Sequence, residues 1–318
     1  RNQDESLTLL GEEHGVPEEA VRDILTGPDD LIWAGFRNDG VYSIRPDELL
    51  GTQLAGTEGL TVLDLDFDAE GNLWIATEES GVLRYAPGTG AVDRYSVPDE
   101  APVYTLDADD AGGVWFGADS VGLVHLIPQE DGEHDQVVYA SDRRVASSLF
   151  SHVRLADDGS VWVGTETSGV YLFRDGQFEH QSVRLPEMAP HVYVVEPLAD
   201  GTLVVGGEQG LYQFEPETGL TVHYNHLSGF IGLETNAHAT YFDSAGRLWI
   251  GTIGGASRMD VSLGMPPSIE LTPQITNATT LRDRSFIADG AEIESGEVGL
   301  YLEFAAISLI NDQNVELS

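Results

Sequence analysis

The stretch Asp243-Ser-Ala-Gly-Arg-Leu-Trp-Ile-Gly-Thr252 contains a phrase that recurs through most of the chain. Each copy has a central Trp or Val with apolar neighbours, followed two residues later by Gly or Ala. Steps of 41 to 47 residues separate the copies, which is enough for four short strands with their turns. The six copies contain every tryptophan of the sequence and are centred on Trp33, Trp74, Trp115, Trp162, Val204 and Trp249.

Each copy is predicted to form four antiparallel strands. An apolar stretch such as Val62 to Phe67 leads into an Asp- and Gly-rich turn, and the strand that holds the Trp follows. A turn ending in Gly leads to a return strand, and a more polar fourth strand comes after loops such as Pro87-Gly-Thr-Gly90. Four short strands rich in β-branched and aromatic residues are typical of a propeller blade.

The fold class expected from this repeat is all-β. A single repeat cannot bury its apolar face alone, so the copies must pack on one another, and a closed ring leaves no exposed end. Six copies predict six four-stranded blades over residues 1–264, and whether a seventh precedes residue 1 stays open. The strand Leu7 to Leu10 is expected to complete the last blade, which shows three strands from Tyr241 to Met259. Residues 265–318 are predicted to form a separate module.

Charge is the second strong signal of the sequence. There are 54 acidic residues against 15 basic ones, every basic residue is Arg, and the net charge is −39. Such a surface argues against nucleic-acid binding, which needs clustered cations, and it favours a halophilic source. The absence of Cys excludes disulfides and Cys-based zinc sites.

We therefore expect the stability of the protein to rise with salt. Repulsion among the carboxylates should weaken as the Debye length falls from about 10 Å at 0.1 M to about 3 Å at 1 M. The melting temperature, followed by circular dichroism in NaCl across that range, should climb by several degrees. A flat or falling curve would remove the argument for a halophilic protein.

The repeated phrase resembles the two-component-regulator propeller repeat, most fully as Asp157-Asp-Gly-Ser-Val-Trp-Val-Gly-Thr-Glu-Thr-Ser-Gly-Val-Tyr171. The segment Gly299-Leu-Tyr-Leu-Glu-Phe-Ala-Ala-Ile-Ser308 resembles the opening of the Ig-like β-sandwich, named for three tyrosines, that follows such propellers. The resemblance implies the ligand-sensing region, periplasmic or extracellular, of a membrane signalling protein such as a histidine kinase or hybrid sensor. Its output domain and membrane segments would lie outside this chain.

One face of the propeller is predicted to bind the ligand. In an antiparallel blade, the loop before the first strand and the turn after the Trp strand share a face, and loops carry most binding residues. The aromatic, imidazole, guanidinium and amide groups there suit a polar, ring-containing small molecule such as an oligosaccharide. The candidate ligand-binding residues are Arg22, Arg37, Tyr104, His191, Tyr193, Asn236 and His238.

Other chemistry is less well supported. Asp64, Asp66 and Asp68 resemble part of a calcium loop, but their alternation along a strand favours a structural turn, and the scattered His residues lack zinc spacing. No metal, cofactor or catalytic residue is therefore expected, and the Trp residues are interpreted as packing between blades. Two alternatives to a sensor stay open, a propeller enzyme acting on polysaccharide as a lyase or glycosidase, and a protein-interaction scaffold. A homodimer is also compatible with the sequence.

Overall fold

The computed structural model describes residues 8–130, 132–140, 145, 149–181, 191–265, 274–280 and 300–305. Two compact units divide the chain, Arg1–Met265 and Pro266–Ser318. The first unit contains six separate antiparallel sheets, each built from strands that are consecutive in the sequence. The predicted six-bladed, all-β propeller is confirmed.

Each sheet is one blade, numbered in chain order. Blade 1 consists of β1 (Val21–Thr26), β2 (Ile32–Phe36), β3 (Gly40–Arg45) and β4 (Leu50–Gln53). Blade 2 consists of β5 (Val62–Phe67), β6 (Leu73–Thr77), β7 (Val82–Ala86) and β8 (Ala91–Tyr95). Blade 3 consists of β9 (Val103–Ala108), β10 (Val114–Ala118), β11 (Gly122–Pro128) and β12 (His134–Tyr139). Blade 4 consists of β13 (Phe150–Leu155), β14 (Val161–Thr165), β15 (Gly169–Arg174) and β16 (Gln177–His180). Blade 5 consists of β17 (Val192–Pro197), β18 (Leu203–Gly207), β19 (Gly210–Phe214) and β20 (Thr221–Tyr224). Blade 6 consists of β21 (Thr235–Phe242), β22 (Leu248–Thr252) and β23 (Gly255–Met259).

In blades 1 to 4 the central Trp packs on the next blade, as predicted, whereas Trp249 of blade 6 lines a cleft. Trp33 lies in a buried cluster with Val62 and Leu65 of blade 2, and Trp74 lies in one with blade 3 residues. The Gly two residues after the Trp makes room for the next inner strand. A Cβ on Gly117 would come within 2.2 Å of the Phe150 Cβ, so no side chain fits there.

The Asp of the repeated phrase closes the turn and holds the indole. Asp68 Oδ1 accepts hydrogen bonds from the backbone N–H groups of Glu70 and Asn72, and Asp68 Oδ2 accepts one from Trp74 Nε1 at 3.2 Å. Asp243 does the same for Trp249 at 2.9 Å. The local phrase therefore encodes both the turn and the orientation of the Trp, which explains why the two occur together.

The prediction that the N-terminal segment completes the last blade is wrong for residues 8–10. These residues are not in a strand, and the described part of blade 6 has three strands. Leu10 instead packs with Val16 against Phe36 and Tyr42, on the face of blade 1 that does not contact blade 2. Burial of that apolar face determines where the segment lies. Leu7 is outside the described residues.

The second unit contributes one antiparallel pair of described strands, β24 (Gln274–Thr280) and β25 (Leu300–Ala305). The Ig-like sandwich stays a prediction. Short 3-10 helices occur at Glu12–His14, Pro98–Glu100, His226–Ser228 and Val261–Leu263. None of the helices in the described ranges has the length and hydropathy needed to span a membrane.

Candidate functional site

The antiparallel order of the strands places two sets of loops on one face of the propeller. These are the loops that lead into the inner strands β1, β5, β9, β13, β17 and β21, and the turns that follow the Trp strands. We call this the upper face. The Asp- and Gly-rich turns lie on the opposite, lower face.

A β-bulge interrupts each of the six inner strands near the upper face, and several predicted residues lie in these bulges. The register of β1 with β2 shifts between Val21 and Asp23, which leaves Arg22 as the extra residue. Tyr104 and Tyr193 are the extra residues of blades 3 and 5. The extra residue of a bulge is unpaired, and its side chain does not follow the alternation of side chains between the two faces of the sheet.

Arg22, Asn236 and His238 come together in a cleft between the inner strands of blades 1 and 6. The cleft has a volume of about 600 Å³. Ile24, Thr240, Tyr241 and Trp249 also line it. Trp249 is 36% exposed here, whereas Trp33, Trp74 and Trp162 are at most 6% exposed. The cleft therefore offers aromatic surface that the contacts between the other blades cover.

His238 reaches from this cleft into the central channel. It lies in a long bulge, Asn236 to Ala239, and has a left-handed backbone with φ of 56°. Its Nδ1 is 3.5 Å from Asp64 Oδ2, an ion-pair distance without hydrogen-bond geometry, and its ring centroid is 5.3 Å from that of His152. His238 thus connects blade 6 with blades 2 and 4.

The other predicted residues lie on the upper face outside the cleft. Burial, followed by carboxylates that include Glu166, raises the pKa of both Tyr104 and Tyr193, so the two phenols share an acidic surrounding. His191 Nδ1 is 2.7 Å from Glu208 Oε1. Arg37 is exposed in the turn after β2 and stands apart from the cleft residues. The seven candidates therefore form no single cluster.

The inner strands also carry polar side chains that were not among the predicted site residues. In four successive pairs of blades, an inner-strand side chain accepts a hydrogen bond from a backbone N–H of the next blade, at 2.8 to 3.0 Å. The acceptors are Asp23, Asp64, Thr105 and the Nδ1 atom of His152. These bonds tie blades 1 to 5 together around the channel. All four acceptors lie ten residues before the central Trp of their blade, so this spacing would have predicted them.

A second set of charged groups surrounds Arg154. Its Nε is 3.2 Å from Glu196 Oε1, and its Nη1 is 3.7 Å from Asp107 Oδ1. Asp66 and Asp107 also accept backbone N–H groups of the following blades, at 2.8 and 2.5 Å. Asp64 and Asp66 thus link neighbouring blades, and Asp68 caps a turn.

Burial shifts the pKa values of the channel carboxyl groups apart. Burial and the neighbouring Asp64 raise the pKa of Asp23 to about 7. Burial also raises the pKa of Asp64, but the charges of His238 and Arg154 outweigh it and hold the pKa below its usual value. For Asp107, burial dominates over Arg154 and raises the pKa well above normal.

The raised pKa of Asp23 predicts a loss of stability as the pH rises. A carboxyl with a higher pKa in the folded chain stabilises the fold fully below its unfolded pKa, and this contribution is lost as the pH rises through about 7. The free energy of unfolding, measured by urea titration from pH 5 to 8, should fall more for the natural chain than for Asp23→Asn, by about 1 to 3 kcal/mol. Equal slopes for the two proteins would contradict the assignment.

Comparison with known proteins agrees with the repeat and the fold. Residues 232–254 match the family described as the two component regulator propeller. The extracellular domain of a protein described as a hybrid two-component system, from B. thetaiotaomicron, has a similar fold, with a TM-score of 0.65 at 17% identity. The match covers 90% of this chain and 41% of that one, so the chain spans well under half of that domain. No curated protein matches the sequence.

Two further solved structures share the propeller. Virginiamycin B lyase from Staphylococcus aureus has a TM-score of 0.60 at 13% identity, over 79% of this chain and 86% of that one. PorZ, a surface component of the type-IX secretion system of Porphyromonas gingivalis, has a TM-score of 0.56 at 15% identity, over 76% and 38%. Identities this low show the fold alone. The chain thus carries the two-component-regulator propeller repeat, at residues 232–254, within a β-propeller like that of a two-component system's extracellular domain.

Proposed function

We propose that this chain is the ligand-binding part of an extracytoplasmic sensor and that it binds a polar, ring-containing small molecule such as an oligosaccharide. The repeat family and the fold of the two-component neighbour support the sensing role. The observation that carries the ligand class is the cleft between blades 1 and 6. There, exposed aromatic rings lie beside guanidinium, amide and imidazole groups.

The aromatic part of the cleft suits a sugar ring. Trp249 is oriented by the bond from its Nε1 to Asp243, and Tyr241, which is 57% exposed, pairs with it across the sheet. A rigid exposed indole offers a flat apolar surface at little entropic cost. Stacking on such a surface would hold the ring of the ligand without a deep pocket.

The polar part of the cleft supplies hydrogen bonds. Arg22 and Asn236 are exposed on opposite walls, so a ligand that contacts both would connect blade 1 with blade 6. Direct hydrogen bonds between these two inner strands are lacking among the described residues. Binding would therefore join the two ends of the ring of blades, a change that a sensor can transmit to an output domain.

Substitution of the cleft residues should weaken binding without unfolding the protein. Arg22→Ala or Asn236→Ala should each cost about 1 to 3 kcal/mol, roughly five- to a hundredfold in affinity, because one polar contact is lost. An oligosaccharide panel, screened by thermal shift and then titrated calorimetrically, measures this effect. Product analysis of the same mixtures separates binding from turnover, and we expect no turnover.

The control variant lies on the lower face. Thr218→Ala removes an exposed hydroxyl that bonds only within its own loop, so the affinity should stay unchanged. Asp109 is a poor control because it caps a turn and contacts His125 at 2.8 Å. The proposal would be contradicted if neither Arg22→Ala nor Asn236→Ala changed the affinity for the oligosaccharide. It would also be contradicted if the protein released a glycan product and this activity depended on a channel carboxylate.

A further inference from the structure

Three blades surround the central Trp with the same two groups. The residue paired with it on the following strand is cationic or an imidazole, and the Asp six residues before it lies alongside. In blade 2, the Arg84 Cζ is 5.7 Å from the centre of the Trp74 ring, and Asp68 accepts the indole N–H. In blade 6, Arg258 and Asp243 hold Trp249 in the same way. In blade 3, His125 stacks on Trp115 at 3.9 Å and bonds Asp109.

Blade 4 lacks both groups. Leu172 is paired with Trp162, and Ala156 stands six residues before it. In the described part of the chain, no aromatic ring or guanidinium stacks on Trp162; its cross-strand neighbour Arg154 pairs with Glu196 and Asp107 instead. Residues of blade 5 cover the indole, which is 6% exposed. The Asp and the paired Arg or His of blades 2, 3 and 6 are therefore absent at Trp162, as they are at Trp33, where Gly27 and Ser43 hold these positions.

A cavity of about 960 Å³ lies beside Trp162 and opens on the lower face, where residues of blades 4 and 5 and Phe242 and Gly246 of blade 6 line it. Leu155, Leu172 and Leu198 form apolar parts of its wall. Carboxylates of Asp157, Glu179 and Glu217 also line it. Its one basic lining group in the described chain, Arg174, is bound to Asp158 at 2.5 Å. The cavity is thus an apolar and aromatic space with an acidic rim.

Gln181 provides an independent sign that a donor is missing. Its side chain lines the cavity and is 6% exposed, and its backbone N–H is fixed by a bond to the Val170 carbonyl at 2.9 Å. Among the described residues, no donor lies within hydrogen-bonding geometry of the buried side-chain Oε1. A buried acceptor without a donor is costly, so a bound molecule that brings N–H groups would relieve this cost.

We propose that the cavity beside Trp162 binds a small molecule that carries a guanidinium group. A guanidinium is planar, stays charged and offers several N–H donors, so it suits a space that combines apolar walls, a buried acceptor and carboxylates. In the cavity it would lie against the apolar wall formed by Leu155, Leu172 and Leu198. It would donate to Gln181 Oε1, and the acidic rim would neutralise its charge. This site is separate from the proposed sugar cleft on the upper face.

Titration with agmatine tests the charge requirement on the natural chain. Calorimetry at low salt should show saturable binding of agmatine, and binding at least about tenfold weaker for carbamoylputrescine, in which a neutral urea replaces the guanidinium. Equal affinity for the two compounds, or no binding of agmatine at millimolar concentration, would overturn the proposal. This comparison needs no variant, and its result does not depend on whether the upper cleft binds a sugar.

Restoring the repeat pattern tests the location. The double variant Ala156→Asp/Leu172→Arg puts back the two groups of blade 2 and should abolish agmatine binding while circular dichroism shows a folded protein. Glu179→Gln removes one carboxylate from the rim and should weaken binding several-fold. Asp93→Asn removes an equally exposed carboxylate from the outer strand of blade 2 and should change nothing. Undiminished binding by the folded double variant would place agmatine elsewhere and overturn the site.

Discussion

Replacing Arg154 with Met should lower the free energy of unfolding by about 3 to 5 kcal/mol, because it leaves buried carboxylates without their cation. Glu196, Asp107 and, more weakly, Asp66 all depend on this guanidinium. Burial lowers the pKa of Arg154, but the surrounding carboxylates outweigh this and raise it, so it stays charged at every accessible pH. Urea unfolding followed by circular dichroism measures the change.

Arg174 in the same blade is the matched control. It pairs with Asp158, but both side chains are about half exposed. Exposed pairs of this kind contribute little, so Arg174→Met should cost less than about 1 kcal/mol. Similar losses for the two variants would show that the channel charges are screened by solvent and do not hold the inner strands together.

Replacing Trp74 with Ala should cost about 3 to 5 kcal/mol, since it empties a fully buried space between blades 2 and 3. Trp74 is 0% exposed and packs with Tyr95 and His134, at ring distances of 5.5 and 5.4 Å. Asp68 would in addition lose the indole donor. The same urea titration should therefore detect a marked shift of the midpoint.

Trp249→Ala separates the structural from the binding role of this residue type. Trp249 occupies the same position in its blade, but it is 36% exposed and faces the cleft that separates it from blade 1. Its loss should cost about 1 kcal/mol of stability and reduce oligosaccharide affinity. If Trp249→Ala is as destabilising as Trp74→Ala, the cleft is closed in solution and is not a binding site.

The candidate site was only partly predictable. Arg22 and His238 both stand eleven residues before the central position of their blades, and the structure does bring them to one cleft. Tyr193 stands at the same position of blade 5 but does not line the cleft. The repeat spacing gives the equivalent position in each blade, but it does not indicate which two blades border the cleft. Asn236 joins the cleft through the long bulge of β21, which the repeat phrase does not signal.

The four-stranded blade is predictable from the repeated phrase because its causes are local. An Asp caps the turn and binds the indole, a Trp packs on the next blade, and a Gly leaves room for the inner strand of that blade. The sequence also determined the number of blades, since the phrase recurs once in each. The way in which polar residues of different blades meet depends instead on the packing of the blades around the channel. The channel bonds join residues 42 to 48 positions apart, and the bulges displace side chains from the alternation of a strand. Such contacts depend on how whole sheets pack around the axis, which no local pattern specifies.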